Sequence, residues 1–114
     1  MHEVSIVQGM LDIAIDSCIK QGYKGIESIR LKIGKASGVV PDSLHFAFEA
    51  MKTGTIAEKA VLTIEEVSVG GFCEGCKMTF TVEEKYVLSC PKCGNTSFRL
   101  NTGRELNIVD MEVF

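Results

Sequence analysis

Four cysteines stand as two pairs, Cys73-x2-Cys76 and Cys90-x2-Cys93, with thirteen residues between the pairs. Each C-x2-C turn aims two sulfurs at one spot, and two such turns face to face make a tetrahedral thiolate site suited to Zn(II). Gly75 and Gly94 are expected to relax the backbone where its amides approach the sulfurs, and Pro91 to stiffen the second turn. Three rival chemistries fit less well. A rubredoxin-type iron site also uses Cys-Pro-x-Cys-Gly, but with loops further apart and more aromatic residues around the metal. A redox dithiol needs one C-x2-C in a strand–helix context that is missing here. A catalytic zinc keeps one position open for water, whereas four thiolates fill every position. The residues therefore predict a structural zinc site on Cys73, Cys76, Cys90 and Cys93.

A second candidate lies at the opposite end, in Met1-His2-Glu3. His2 is too bulky for the usual removal of the initiator methionine, so Met1 is expected to stay. The α-amine, the His2 amide and the His2 imidazole then sit within one chelate. Fused five- and six-membered rings of that kind favour square-planar Ni(II) or Cu(II). Glu3 can add an amide nitrogen or a carboxylate. The same residues also suit a solvated terminus with no task, and residue chemistry leaves both readings open.

Composition narrows the classes. A chain of 114 residues with 46% hydrophobic content can bury one ordinary core. No apolar run approaches the ~20 residues of a membrane span, and the start does not read as a secretory signal. Paired thiols in that context are reduced metal ligands rather than disulfides, so the expected location is cytoplasmic. The fifth cysteine, Cys18, falls on an apolar helix face and reads as a small buried hydrophobe. Net charge is −3 by counting. A closed tetrathiolate zinc site would take it to about −5. Around the cysteines, Lys77, Lys85, Lys92 and Arg99 are set against Glu74, Glu83 and Glu84. That mixture lacks the basic stripe of a nucleic-acid binder. No nucleophile–base pair beyond His45 and no phosphate-binding glycine loop suggest an enzyme.

These groups need elements to hold them. Residues 3–21 read as an amphipathic helix carrying Val7, Met10, Leu11, Ala14, Cys18 and Ile19, with Gly22 as its C-terminal cap. Ile26–Ile33 alternates as a strand. Pro41-Asp42-Ser43 opens a second helix with Asp42 or Ser43 as N-cap and Leu44, Ala47, Phe48 and Met51 inward. His45 falls beside that face, spaced to pair with Glu49. Val61–Val69 reads as a strand ended by Gly70-Gly71. Short strands are expected near Met78–Val82, Tyr86–Ser89 and Ser97–Leu100, then a turn at Asn101–Gly103 and a final strand, Leu106–Val113. That last strand is too apolar to hang free and should return to the N-terminal sheet. The expected fold is α+β: two helices on a small mixed sheet, with an inserted zinc-ribbon-like β module. Residues 1–70 plus 103–114 would form one domain and residues 71–102 the zinc domain.

The opening MHEVSIVQGML, the strand ending LKIG, the segment SLHFAFE and the late CEGC…CPKCG occur in one order over the whole chain. Together they closely resemble the HypA (HybF) family, nickel-insertion accessory proteins of [NiFe]-hydrogenase maturation. The resemblance implies a nickel metallochaperone, not an enzyme. It implies Ni(II) carried on the Met1 amine, the His2 amide and imidazole, and Glu3, with structural Zn(II) on the four cysteines. Its implied partners are a HypB-type GTPase, the hydrogenase large-subunit precursor and, in some organisms, urease accessory proteins. It implies no nucleic acid and no membrane, and either a monomer or a homodimer. Some members carry histidines beside the zinc cysteines. Here both histidines, His2 and His45, lie in the first 45 residues, so sensing through a histidine at the zinc site does not carry over.

Overall fold

The computed structural model describes the backbone from His2 to Phe114 and the side chains from Glu3 onward. Its elements run α1 (His2–Lys20), β1 (Ile26–Gly34), α2 (Pro41–Met51), β2 (Val61–Val67), β3 (Val69–Cys73), β4 (Thr79–Val82), β5 (Phe98–Thr102) and β6 (Leu106–Val113). They fall into two compact units. The first comprises the chain up to Leu31, Val39–Glu65 and Asn107–Phe114; the second comprises Lys32–Gly38 and Glu66–Leu106.

In the first unit α1 and α2 pack together. Val7, Met10, Leu11, Ala14 and Cys18 form the buried stripe of α1. Leu44, Ala47 and Phe48 form that of α2. Ile19, expected in the stripe, is instead 59% exposed. At 100° per residue it stands about 120° round the helix from Val7, outside a core-facing arc. A Schellman turn closes α1 at Gly22: Tyr23 N–H donates to Cys18 C=O at 2.9 Å and Gly22 N–H to Ile19 C=O at 3.1 Å.

The expected cap of α2 is displaced. The helix starts at Pro41, with Val40 in extended conformation as N-cap and no side-chain cap bond. Proline has the φ of a first helical residue and lacks the N–H that would otherwise need an acceptor. It therefore sets the start one residue ahead of Asp42. His45 lies exposed on the outer side, and Glu49 pairs with Lys52 at 2.6 Å.

The strands β2-β1-β6 form one three-stranded sheet in that order. Ile26, Ile29, Leu31 and Ile33 of β1 are buried, while Arg30 faces out, as alternation requires. The last strand does return. Phe114 N–H donates to Gly25 C=O at 3.1 Å, and the far end closes with Gly34 N–H donating to Glu105 C=O at 2.8 Å. On the outer face Arg30 pairs with Asp110, and the Ser28 hydroxyl donates to Glu112 at 3.2 Å. The neighbour on the other side, β2, runs parallel to β1. Ile26 N–H reaches Ile56 C=O ahead of β2, and Lys35 N–H reaches Val67 C=O at its end. The sheet is thus mixed, joined through α2 by a crossover.

The second unit holds the antiparallel sheet β4-β3-β5. The run read as one strand from Val61 to Val69 parts at Ser68, and its two halves join different sheets. Gly70-Gly71 does not end a strand but lies within β3, with a bulge between the two. A Cβ on Gly71 would lie 2.2 Å from the Arg99 carbonyl oxygen, so glycine there admits β5. The strand expected at Tyr86–Ser89 does not form. Val87 packs on the cysteine cluster, while Tyr86 and Leu88 are 81% and 87% exposed. Alternation survives without a strand to pair with. Among the described residues no helix is long and apolar enough to cross a membrane.

Two glycines make opposite demands. A Cβ at Gly34 would stand 2.0 Å from the Gly103 carbonyl carbon, whereas one at Gly9 meets nothing within 4 Å. Gly34→Ala should destabilise by about 2 kcal/mol or more, because backbone must move. Gly9→Ala, inside α1, should stabilise by up to about 1 kcal/mol through helix propensity. Denaturant unfolding of the two variants checks both signs.

Candidate metal centre

The cysteines grow out of the second unit's sheet. Cys73 ends β3, the turn through Cys76 leads to β4, and Cys90 and Cys93 lie in the connection from β4 to β5. The two turns repeat one hydrogen bond. Cys73 N–H donates to Met78 C=O at 2.9 Å, and Cys90 N–H donates to Asn95 C=O at 2.8 Å. In both, the residue just after the second cysteine is left-handed: Lys77 at φ 56° and Gly94 at φ 77°. The glycine is cheap there and the lysine is not. The conformational freedom expected of Gly75 belongs to this later position. Gly75 serves space instead, since a Cβ on it would lie 2.4 Å from Asn95 Nδ2.

Asn95 was not legible as a site residue. Its carbonyl closes the second turn, its side chain crowds the first at Gly75, and its Oδ1 accepts from Ser97 N–H at 2.7 Å. The signal was the turn chemistry of Cys-Gly-Asn following the second pair.

The four sulfurs all lie within 4.8 Å of one another. Cys73 and Cys93 Sγ are 3.5 Å apart, and Cys76 and Cys90 Sγ are 3.9 Å apart. These separations far exceed a disulfide. They bracket the ~3.8 Å edge of a tetrahedron with metal–sulfur bonds of about 2.3 Å. Donor type and spacing both fit one tetrahedral soft ion. Around it Phe80 and Phe98 meet edge to face at 5.7 Å, and Val82 and Val87 complete the packing. Cys73 and Cys90 are buried, Cys76 is half-buried and Cys93 is exposed.

The thiols differ in acidity. Burial pushes Cys76 up, and its contacts with the other three thiols carry it to about 12. Burial also raises Cys90, but the Cys93 and Lys92 amides and the Cys73 and Cys93 thiols outweigh it and bring it down to about 6. The Lys92 N–H···Sγ contact is 3.4 Å. For Cys93 the Asn95 amide lowers the value, yet the Cys73 thiol and burial leave it raised.

At the other end, Met1 and the His2 side chain lie outside the described residues. Glu3 sits half-buried in the first turn of α1, and its Oε2 accepts a long 3.5 Å hydrogen bond from Val40 N–H. The third residue of the opening motif is thereby tied to the start of α2.

Comparison with known proteins agrees with this layout. A family profile described as "Hydrogenase/urease nickel incorporation, metallochaperone, hypA" matches residues 1–113. A hydrogenase maturation factor HypA of Rhizobium leguminosarum bv. viciae is 37% identical over 113 residues, covering 99% of both chains. One from a Picosynechococcus species is 39% identical over 113 residues, again covering 99% of both. The solution structure of the Ni metallochaperone HypA from Helicobacter pylori shares the fold at TM-score 0.69 and 22% identity, over 98% of this chain and 97% of that one. A second solution structure of a HypA protein reaches TM-score 0.73 at 24% identity, over 100% of this chain and 97% of that one.

Two outcomes follow from the site itself. With Cys90 near 6 and Cys76 near 12, Zn(II) binding at pH 7 should release fewer than four protons. Below about pH 6 Cys90 also binds a proton that metal must displace, so affinity should fall more steeply with acidification. Calorimetric titration in buffers of different ionisation enthalpy measures the proton count, and an unchanged count from pH 7 to 5 would contradict the assignment. Separately, Lys77→Gly should stabilise the metal-loaded protein by up to about 1 kcal/mol, and Gly94→Ala should destabilise it by a similar amount. Unfolding midpoints compare the pair.

Proposed function

The chain belongs to the HypA family of nickel metallochaperones for hydrogenase maturation, and we propose that it carries Ni(II) on Met1, His2 and Glu3 while Zn(II) on Cys73, Cys76, Cys90 and Cys93 holds the second module together. The observation that carries the reading is the family match from residue 1 to 113, which takes in the Met-His-Glu opening as well as both cysteine pairs. A carrier needs a site from which its metal can leave. The amine and amide nitrogens of a chain terminus suit that task, because amides in the first turn of a helix have no intrahelical acceptor and can be given to a metal without loss to the helix. α1 begins at His2. Four thiolates, by contrast, leave no open position for exchange.

Delivery would then be reversible chelation with no catalytic step. Nickel displaces protons from the amine and amide and competes with them for the imidazole, so affinity falls as pH falls. The family works within hydrogenase maturation. We assign the receiving and cooperating partners as the hydrogenase large-subunit precursor and a HypB-type GTPase, with urease accessory proteins where urease is served. The same reading puts the protein in the cytoplasm, with residues 1–70 and 103–114 as the nickel-carrying domain and 71–102 as the zinc domain.

His2→Ala should abolish tight Ni(II) binding and leave one zinc per chain. Extending the chain before Met1 should do similar damage by converting the amine to an amide. Cys90→Ser should lose zinc and loosen the second module. Calorimetric titration with elemental analysis reads all three, and tight nickel binding retained in His2→Ala would remove the ligand set.

A further inference from the structure

Two of the sulfur contacts in the cluster run from one turn to the other, Cys73 Sγ to Cys93 Sγ and Cys76 Sγ to Cys90 Sγ. The turns are also fastened to each other by contacts that need no metal. Glu74 N–H donates to Ser97 C=O at 3.0 Å, Cys73 lies opposite Phe98 in the sheet, and the Asn95 side chain occupies the space over Gly75. The facing of Cys73 and Cys93 therefore belongs to the frame as well as to a bound ion. The two differ in access, since Cys93 is exposed and Cys73 behind it is buried. A thiolate within reach of solvent, with a second thiolate in contact behind it, is the arrangement in which oxidation ends in a disulfide instead of climbing to the sulfinic acid.

We propose that Cys93 is a site of oxidation by hydroperoxides, that Cys73 resolves it as a disulfide between the two turns, and that this bridge expels the Zn(II). With hydrogen peroxide, the Cys93 thiolate attacks one peroxide oxygen. An S–O bond forms, the O–O bond breaks and hydroxide leaves, so the sulfur gives up two electrons and the peroxide takes them. The Cys73 thiolate then attacks the sulfenic sulfur. An S–S bond forms, the S–O bond breaks and a second hydroxide leaves. In sum, two thiolates and one hydrogen peroxide become one disulfide and two hydroxides. Cys90 competes poorly for that sulfur, because its own Sγ accepts from Lys92 N–H at 3.4 Å and lies against Cys76 Sγ at 3.9 Å. Only Cys76 and Cys90 then remain as thiolates, half of what a tetrahedral zinc site requires. A second peroxide joins them by the same steps. Cys18 stays out of this chemistry, being 2% exposed and so closed to oxidant. The inference rests on the zinc reading of the four cysteines and adds the condition under which the ion is given up.

The test treats the zinc-loaded full chain with hydrogen peroxide. A chelating dye follows zinc release against an untreated control, and mass spectrometry after alkylation in denaturant maps the cysteine pairing. Glu74 lies between Cys73 and Cys76, and Lys92 between Cys90 and Cys93. Cleavage after glutamate and after lysine therefore puts the four on separate peptides. One equivalent of peroxide should link Cys73 to Cys93 and release the bound zinc. A second equivalent should link Cys76 to Cys90, with Cys18 alkylated throughout. Dithiothreitol and fresh Zn(II) should restore the zinc lost. A first bridge within one turn, a bridge between two chains, or oxidation that stops on Cys93 with no bridge overturns the proposal. So does zinc retained after the bridge has formed. Elemental analysis before peroxide separates the two readings: a chain that holds no zinc at that point overturns the zinc reading, and the same mapping on it still decides the pairing.

Discussion

The second unit depends on four sulfurs converging on one point. The cluster around them is Cys73, Phe80 and Cys90, with Cys76, Val82, Val87 and Phe98 packed round it. Two of that buried trio are sulfur-bearing, and a small module gains much from a cross-link at such a point. Of the four cysteines only Cys73 lies in a paired strand, opposite Phe98. The first turn is closed by the Cys73 N–H on Met78 C=O, and the second by the Cys90 N–H on Asn95 C=O and the Gly94 N–H on Cys90 C=O. A metal joining the four thiolates would add folding free energy to the side-chain burial of so small a module. The paired β4-β3-β5 sheet, with its close approach at Gly71, gives that cross-link a fixed frame.

The first unit is stabilised differently. Val7, Leu11, Ala14, Ile26, Ile29, Leu44 and Phe48 make a conventional helix-on-sheet core that has no need of an ion. Under the proposed function, the metal that is carried would sit at the margin of this core, outside its packing. The Glu3 carboxylate on Val40 N–H is the link between that margin and the body of the unit.

Much of this was legible in the residues. Cysteine spacing specified the tetrahedral cluster, the 3.6-residue period located α1, and alternation located β1. The apolar character of residues 106–113 foretold their return to the first sheet. Other features depend on pairing that a linear reading does not contain. The β-branched run from Val61 to Val69 looks continuous, and Ser68 gives little hint that its halves enter different sheets. Val40 became the cap of α2 because Pro41 fixes the start, which outweighed the ordinary preference for Asp42 or Ser43. Tyr86–Ser89 alternates like a strand, yet it found no neighbour. Gly94 announced the left-handed position of its turn, while Lys77 concealed the equivalent one. Asn95 showed its double role only when both turns were in place.

The uneven exposure of the cluster has a kinetic consequence. Cys73 and Cys90 are enclosed by the packing and Cys93 is open to solvent. A chelator, an oxidant or a competing metal arriving from solution meets Cys93 before it meets Cys73 or Cys90. Dismantling thus has a direction: Cys93 is the first ligand within reach and the half-buried Cys76 the next, while Cys73 and Cys90, one from each turn, stay enclosed. The order in which the ligands let go is written into which sulfur faces water.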